Sequence, residues 1–309
     1  MITITIDSVN ISEKKGTVKL AVPHITINEN GVEHDAHAGD WHRQVSMLST
    51  ESIAKFAQQA NRVIKPGEFA ENLTITGMNL INTAPLDTFE IDDVVLEVTQ
   101  IGKKCHGDNC AIFREVGNCV MPKEGIFCRV MQGGIITSGV QGTYLPKVFK
   151  VHVITLSDRA SKGIYPDRSG QRIQEMTELY FDSKKRKHQI EKTLIPDDPK
   201  MLEELINASA NNYDIVITTG GTGIGPKDFT PDVVKPLLEK EIPGIMDMIR
   251  MKYGQEKPNA LISRSIAGVI GNTLVFCLPG SVKAVEEYMT EIHKVLEHLI
   301  FMLHNLDTH

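Results

Sequence analysis

Hydrophobic and polar residues follow two different rhythms along the chain. In the first half, apolar runs such as ITITIDSVNIS, GTVKLAVPHITI, VVLEVTQIG and GIFCRVMQGGIIT are short, rich in β-branched residues and broken by Gly, Asn and Pro. That is the signature of strands separated by turns. One segment departs from it. In STESIAKFAQQANRVIK, Ser49 or Thr50 can cap a helix on which Ile53, Phe56, Ala57 and Ala60 share one face. This half is expected to form a mainly β, barrel-like or sandwich fold with a few helices.

From Val151 the rhythm changes. The apolar runs VHVITLSD, TLIPDD, DIVITTGG and NTLVFCLPG alternate with helical stretches that begin near Ser169, Pro199 and Thr230, and SVKAVEEYMTEIHKVLEHLIFML closes the chain as a long helix. Alternation of this kind predicts an α/β, doubly wound, mostly parallel sheet with ligands at the carboxyl ends of its strands. The stretch TYLPKVFK is short and stiff, so the expected domains are 1–147 and 148–309. A length of 309 residues suits two domains of roughly 150 each.

Composition narrows the function classes. Hydrophobic residues make up 41% and charged residues 23%, as in ordinary globular proteins, and the net charge is −6. Residues 1–147 carry 13 basic and 17 acidic side chains and the remainder 20 and 22, so neither half offers the basic surface that nucleic acid demands. No apolar run reaches the length of a membrane span, and MITITIDSVN has no leader pattern. The expected setting is cytoplasmic, with no membrane or nucleic-acid partner. Four of the five cysteines fall between Cys105 and Cys128, which reads as reduced thiols rather than a disulfide framework.

The chemistry concentrates in the loops after the second-half strands. In TTGGTGIGPKDFTPD, Gly-rich backbone follows a buried strand, a place where N–H groups can approach a phosphate; a tight turn capping the next helix would look the same. The loop is not a P-loop, because Gly225 is followed by Pro226, Lys227 and Asp228, and no G-x-G-x-x-G is present. Its aspartates can be sorted by the work they already have. Asp198 is the natural N-cap before Pro199, Thr230 is the expected cap before Pro231, and Asp232 suits a first helical turn. Asp197 and Asp228 remain over. Two such carboxylates beside a glycine loop fit a Mg²⁺ ion bridging phosphate oxygens, although solvated loop aspartates give the same pattern.

Together TLSDRASKGIYPDRSG, LIPDD, TTGGTGIGPKDFTPD, ISRSIAG and CLPGS resemble the molybdopterin adenylyltransferase family, of the bacterial MogA/MoaB type and the gephyrin G domain. The resemblance implies that the terminal phosphate of molybdopterin attacks the α-phosphorus of ATP and that pyrophosphate leaves. It implies Asp197 and Asp228 as the catalytic, Mg²⁺-holding pair, and Thr219, Gly220, Gly221, Thr222 and Gly223 at the phosphates. Pro279, Gly280 and Ser281 would border the nucleotide, with Ser157, Asp158 and Ser169 at pterin or phosphate. Ser169 serves equally as the N-cap of its helix. The family also implies a homotrimer through the C-terminal domain.

In the first half, HAGDWHRQVSMLSTESI, PGEFAENLTITGMNL, VTQIGKKCHG and KEGIFCRVMQGG resemble the MOSC domain, named for the C-terminal domain of molybdenum cofactor sulfurase. The resemblance places its key cysteine at Cys105, as a persulfide carrier or a ligand of molybdenum in the cofactor. Lys103 and Lys104 beside it would favour the thiolate, and Arg43 is a candidate phosphate clamp. Cys105, His106 and Cys110 match zinc-site spacing poorly, Cys110 could be a resolving thiol, and Cys119 and Cys128 read as buried core. Both halves then point to molybdenum cofactor biosynthesis, with molybdate-insertion proteins and molybdoenzymes as downstream partners. The competing class is a non-catalytic carrier or storage protein, which would need no ATP.

Overall fold

The computed structural model describes residues 1–104, 119–210 and 212–306. They fall into two compact units, Met1–Lys147 and Val148–His309. Cys105 and Cys110 lie outside the described residues, and with them the sulfur and zinc readings.

The first unit is a closed β-barrel. Strands β1 (Ile2–Ile11), β5 (Val45–Ser49), β6 (Leu73–Thr76), β7 (Thr88–Ile91), β8 (Val94–Ile101), β9 (Ile126–Gln132) and β11 (Gln141–Leu145) run in the order β11-β7-β8-β9-β5-β6-β1. Pairing of β1 with β11 shuts the ring, so these strands leave no open edge. Among the described residues of this unit, only β5 and β6 pair in parallel, and helix α1 (Thr50–Ala60) lies between them in the chain. A side sheet joins β3 (His24–Asn28), β4 (Gly31–Val32) and β10 (Gly134–Thr137). Strand β2 (Leu20–Val22) pairs with the far end of β1.

Alternating residues fill the barrel. Ile4, Ile6, Met47, Ile75, Phe89, Leu96, Ile126 and Cys128 are fully buried there. Ser49 caps α1 by accepting from the Ser52 N–H, and the face carrying Ile53 and Phe56 packs on Phe69, Met121 and Phe127. Cys119 and Cys128 are both buried, and burial pushes the Cys128 thiol far above its ordinary value. The expected capped start of α1 and the buried thiols are reproduced, while the helix ends at Ala60, short of Lys65 where the helical-looking segment ends.

The second unit is built on a six-stranded sheet. Four strands, β12 (Val148–Leu156), β13 (Lys187–Ile195), β14 (Ile215–Thr219) and β17 (Thr273–Leu278), pair in parallel in the order β13-β12-β14-β17. Two antiparallel strands not foreseen in the sequence, β15 (Lys240–Glu241) and β16 (Ile266–Ile270), extend it beyond β17. The central strands are buried end to end, as expected of a sheet covered on both faces. Among the described residues, no helix is long and apolar enough to cross a membrane.

Two expected caps are corrected by the structure. Helix α4 (Arg168–Ser183) is capped by Asp167, which accepts from the Gly170 N–H at 2.8 Å, while the Ser169 hydroxyl donates to the same carboxylate at 3.3 Å. Asp167 takes the role because Thr155 at the end of β12 already holds its other oxygen at 2.8 Å. Thr230 does not cap either. It is the first residue of α6 (Thr230–Val234), and its hydroxyl donates to the Gly220 carbonyl at 2.8 Å. The third expectation holds: Asp198 caps α5 (Pro199–Ser209), accepting from Lys200 and Met201.

Candidate active site

Four neighbouring strand ends supply the site. Where β12 ends, Ser157 caps the short helix α3 (Asp158–Ser161) by accepting from the Ala160 N–H, and its hydroxyl meets Tyr165 Oη at 3.0 Å. Where β13 ends, Asp197 and Asp158 clasp each other. The Asp158 N–H donates to Asp197 Oδ2 at 3.3 Å, and the Asp197 N–H to Asp158 Oδ1 at 3.2 Å. The second Asp158 oxygen holds the Lys227 ammonium of the glycine loop. That bond keeps the Asp158 carboxyl below its ordinary range and raises Lys227 above its own. Both side chains meet solvent, so the pair places groups rather than stabilising the fold.

The loop after β14 is organised by its carbonyls. Those of Gly220 and Gly221 accept from the Thr230 hydroxyl and N–H, and those of Thr222 and Gly223 from the N–H and Nε of Arg264. In a planar trans peptide the next N–H points the opposite way. Among the described residues, the N–H groups of Gly221, Thr222 and Gly223 have no protein acceptor. Three consecutive backbone donors therefore stand free. Glycine is required for this path: Gly221 has φ +66°, and a Cβ on Gly223 would come within 2.6 Å of the Asp228 carboxylate. Asp228 Oδ2 in turn accepts from the Gly225 N–H at 2.8 Å.

The fourth strand end, that of β17, closes the arrangement. The Thr219 hydroxyl donates to Pro279 O at 2.8 Å and the Gly220 N–H to Leu278 O, which fixes the turn after β17 against the glycine loop. Ser281 then caps α8 (Val282–Leu303), a 22-residue helix whose first turn faces the same space. These ends enclose a cavity of about 760 Å³. Of the residues expected at the site, Ser157, Asp158, Ser169, Asp197, Gly221, Asp228 and Gly280 line it. Thr219, Gly220, Thr222, Gly223, Pro279 and Ser281 stand behind the lining as the framework just described.

Cations share the cavity. Arg159, Arg168 and Lys227 line it, and Tyr165 lies under Arg159 with its ring centroid 5.1 Å from Cζ. None was singled out in the sequence, although Lys227 sits inside the quoted loop. Arg264 was missed as well, because nothing in SRS announces a partner 32 to 41 residues away. Among the described residues, no group of three or more His, Cys, Asp or Glu side chains is placed to hold a metal. Two carboxylates nevertheless suit Mg²⁺, which takes one or two from protein and the rest from water and phosphate. Among the described residues, Asp197 and Asp228 each spend only one oxygen on protein hydrogen bonds.

The neighbours Asp197 and Asp198 allow a clean comparison. Asp198→Ala removes a cap and is expected to cost about 1 kcal/mol of stability, with catalysis intact. Asp197→Asn should leave the unfolding midpoint near that of the parent and remove most catalytic activity. Thermal unfolding and turnover measured on both variants would separate the roles, and equal activity losses would refute the division.

The first unit holds a second, smaller cavity of about 110 Å³, lined by His37, Trp41, Arg43, Asn72, Lys103 and Phe127 among others. Arg43 lies over the Trp41 ring at 4.7 Å, and Lys103 reaches toward Phe127 at 5.8 Å. Among the described residues, the buried Arg43 Nε has no hydrogen-bond partner. A bulge at Thr99 shapes this wall, its hydroxyl donating to His42 O and Phe127 O. Arg43 and Lys103 both line this cavity, while Cys105 lies outside the described residues.

A sheet with a four-stranded parallel core, a glycine loop and two cavity-lining aspartates at its carboxyl ends defines an α/β domain with its candidate site where such sheets bind ligands. Residues 152–298 match the family described as "Probable molybdopterin binding domain", and residues 34–143 match the MOSC domain. A molybdopterin adenylyltransferase of Pyrococcus furiosus is 40% identical over 163 residues, half of this chain and 92% of that protein. One from Helicobacter pylori is 32% identical over 155 residues, covering 86% of its length. Gephyrin of Dictyostelium discoideum is 33% identical over 162 residues, which are 22% of its length. The chain belongs to the molybdopterin adenylyltransferase family, with a MOSC domain preceding that domain in the same polypeptide.

Proposed function

We propose that the C-terminal unit transfers the adenylyl group of ATP to molybdopterin. The terminal phosphate of molybdopterin attacks the α-phosphorus of ATP, a P–O bond forms, the bond to the β-phosphate oxygen breaks, and pyrophosphate leaves with its electron pair. The observation that carries this reading is the glycine loop, whose Gly221, Thr222 and Gly223 N–H groups have no acceptor among the described residues, at a cavity that Gly221, Asp197 and Asp228 line. The attacking phosphate is already an anion near neutral pH, so no general base is needed, and the chain's task is positioning and charge balance.

Each part of the site has a task in that scheme. The glycine-loop N–H groups and the first turn of α8 hold phosphate oxygens. Lys227 and Arg159 offset the charge of the leaving pyrophosphate. Asp197 and Asp228 would hold Mg²⁺, whose chemistry is to neutralise the triphosphate. The reciprocal bonds between Asp158 and Asp197 keep two strand ends in register, so that the pair keeps its spacing as substrate enters. The test is pyrophosphate release from Mg-ATP by the purified protein. Release that depends on added molybdopterin supports the reading; ATP turnover indifferent to the pterin would reject it.

The N-terminal unit, in the same reading, binds the maturing or finished molybdenum cofactor. Its small cavity fits a phosphate-sized anion at Arg43 and Lys103, and the buried, unpartnered Arg43 Nε supports an anion there. Cys105 follows Lys103 by two residues in the sequence and would carry sulfur or ligate molybdenum. Cys105→Ala is expected to abolish cofactor retention on gel filtration while leaving adenylyl transfer unchanged. Full retention would remove the cysteine from the account.

A further inference from the structure

We propose that Arg264 is the positioning residue of the phosphate loop: its guanidinium fixes the Asp228 backbone and the donor face of the loop without itself touching substrate. The inference rests on the adenylyl-transfer reading for its catalytic consequence, but not for its structural one. Arg264 approaches the loop from behind and does not line the cavity. Its Nε donates to Gly223 O at 2.7 Å, its Nη2 donates to Asp228 O, and its backbone N–H donates to Thr222 O at 2.8 Å. One residue therefore holds both ends of the stretch from Thr222 to Asp228.

The planar peptide turns these bonds into a directing device. A carbonyl pinned toward Arg264 aims the N–H that follows it away from Arg264. Thr222 O sets the Gly223 N–H in this way, and Gly223 O sets that of Ile224. Asp228 O anchors the residue whose carboxylate also closes the turn on the Gly225 N–H. The guanidinium is itself anchored by a bidentate pair with Asp232, at 2.8 and 2.9 Å from Nη1. Asp232 was expected to serve the dipole of α6; in the structure it also holds this fork. A lysine cannot replace it, because one ammonium at the end of a flexible stem cannot span three separated acceptors.

The test compares the full chain with Arg264→Ala, Arg264→Lys, Asp228→Asn and the Arg264→Ala/Asp228→Asn double variant. Amide hydrogen exchange, measured without ligand, reads the loop directly. Affinity for Mg²⁺-loaded α,β-methylene-ATP and the kcat and KM of adenylyl transfer read its consequence. Expected are faster exchange confined to residues 220–229, about a 100-fold loss of kcat in Arg264→Ala, and no restoration by lysine. In the double variant, the arginine change should add less than its single-variant factor to the loss from Asp228→Asn, because part of its effect runs through the Asp228 carboxylate and the rest through the loop N–H groups.

Unchanged exchange across 220–229 would overturn the proposal, as would losses that multiply in the double variant. Should Arg264→Ala fold poorly, Asp232→Asn loosens the same fork from outside the cavity. It is expected to shift exchange and kcat in the same direction by a smaller factor, and a parent-like Asp232→Asn would count against the clamp. A parent protein that transfers no adenylyl group defeats the functional reading, whereas exchange still decides whether Arg264 orders the loop.

Discussion

Asp228→Asn is expected to lower the adenylyl-transfer rate about 1000-fold while leaving the fold and its unfolding midpoint intact. Asparagine keeps the size of the side chain and an oxygen that accepts from the Gly225 N–H, so the turn that bond closes persists. What disappears is the negative charge beside the phosphate cradle. Because the backbone N–H groups are untouched, the loss should fall on kcat more than on the KM for ATP. Steady-state kinetics with both substrates varied gives the answer. A variant that turns over like the parent would take Asp228 out of the metal and phosphate chemistry.

The second large effect lies in the N-terminal unit and concerns stability. Lys19 and Asp35 form an ion pair whose side chains are 0% and 1% exposed. Asp35 also accepts from the N–H groups of Ser12 and His37. Burial raises the Asp35 pKa, but the hydrogen bonds from His37 and Lys19 outweigh it and hold the carboxyl well below its ordinary range. Burial pulls the Lys19 ammonium down against the same contact. Asp35→Ala leaves a buried ammonium without its partner and is expected to cost about 3–5 kcal/mol. Adding Lys19→Met should recover part of that loss, since the stranded charge is then gone.

The pair also sets a pH dependence. A carboxyl with a depressed folded-state pKa contributes fully above its unfolded value of about 3.9, and its contribution is lost as pH falls below that. Acid unfolding of the parent should therefore steepen below about pH 4, and Asp35→Ala should show a flatter acid limb. Denaturant unfolding across this pH range checks both statements. Equal stability of Asp35→Ala and parent at neutral pH would contradict the first.

Local signals made much of this fold legible. The Asp198-Pro199 pair declared a helix start, which left Asp197 unemployed, and the structure puts Asp197 on the cavity wall. The period change near residue 150 separated a barrel from a parallel sheet, because inward-facing alternation and doubly buried runs are different patterns. The failures share a cause. The Thr230 hydroxyl went to Gly220 O, ten residues away, and Asp167 outcompeted Ser169 as cap because Thr155 braces it. Neither preference exists until strand ends meet.

The same reason hid Arg264, Asp232 and the Lys19–Asp35 pair. Each is an ordinary charged residue in sequence and acquires its role only from partners brought in by the sheet or barrel. Strands β15 and β16 escaped because one is two residues long and the other is a five-residue strand that begins four residues after the 3-10 segment Pro258–Ile262. Residues 105–118 stand apart, as the MOSC cysteine falls within them and outside the described structure.

The most direct test of the central claim is to follow label from α-³²P-ATP in the presence of Mg²⁺, molybdopterin and the purified protein. The account predicts label in a molybdopterin adduct, formed in step with pyrophosphate and lost in Asp228→Asn. Tight molybdopterin binding with no label in the pterin would contradict it, and would make the chain a carrier.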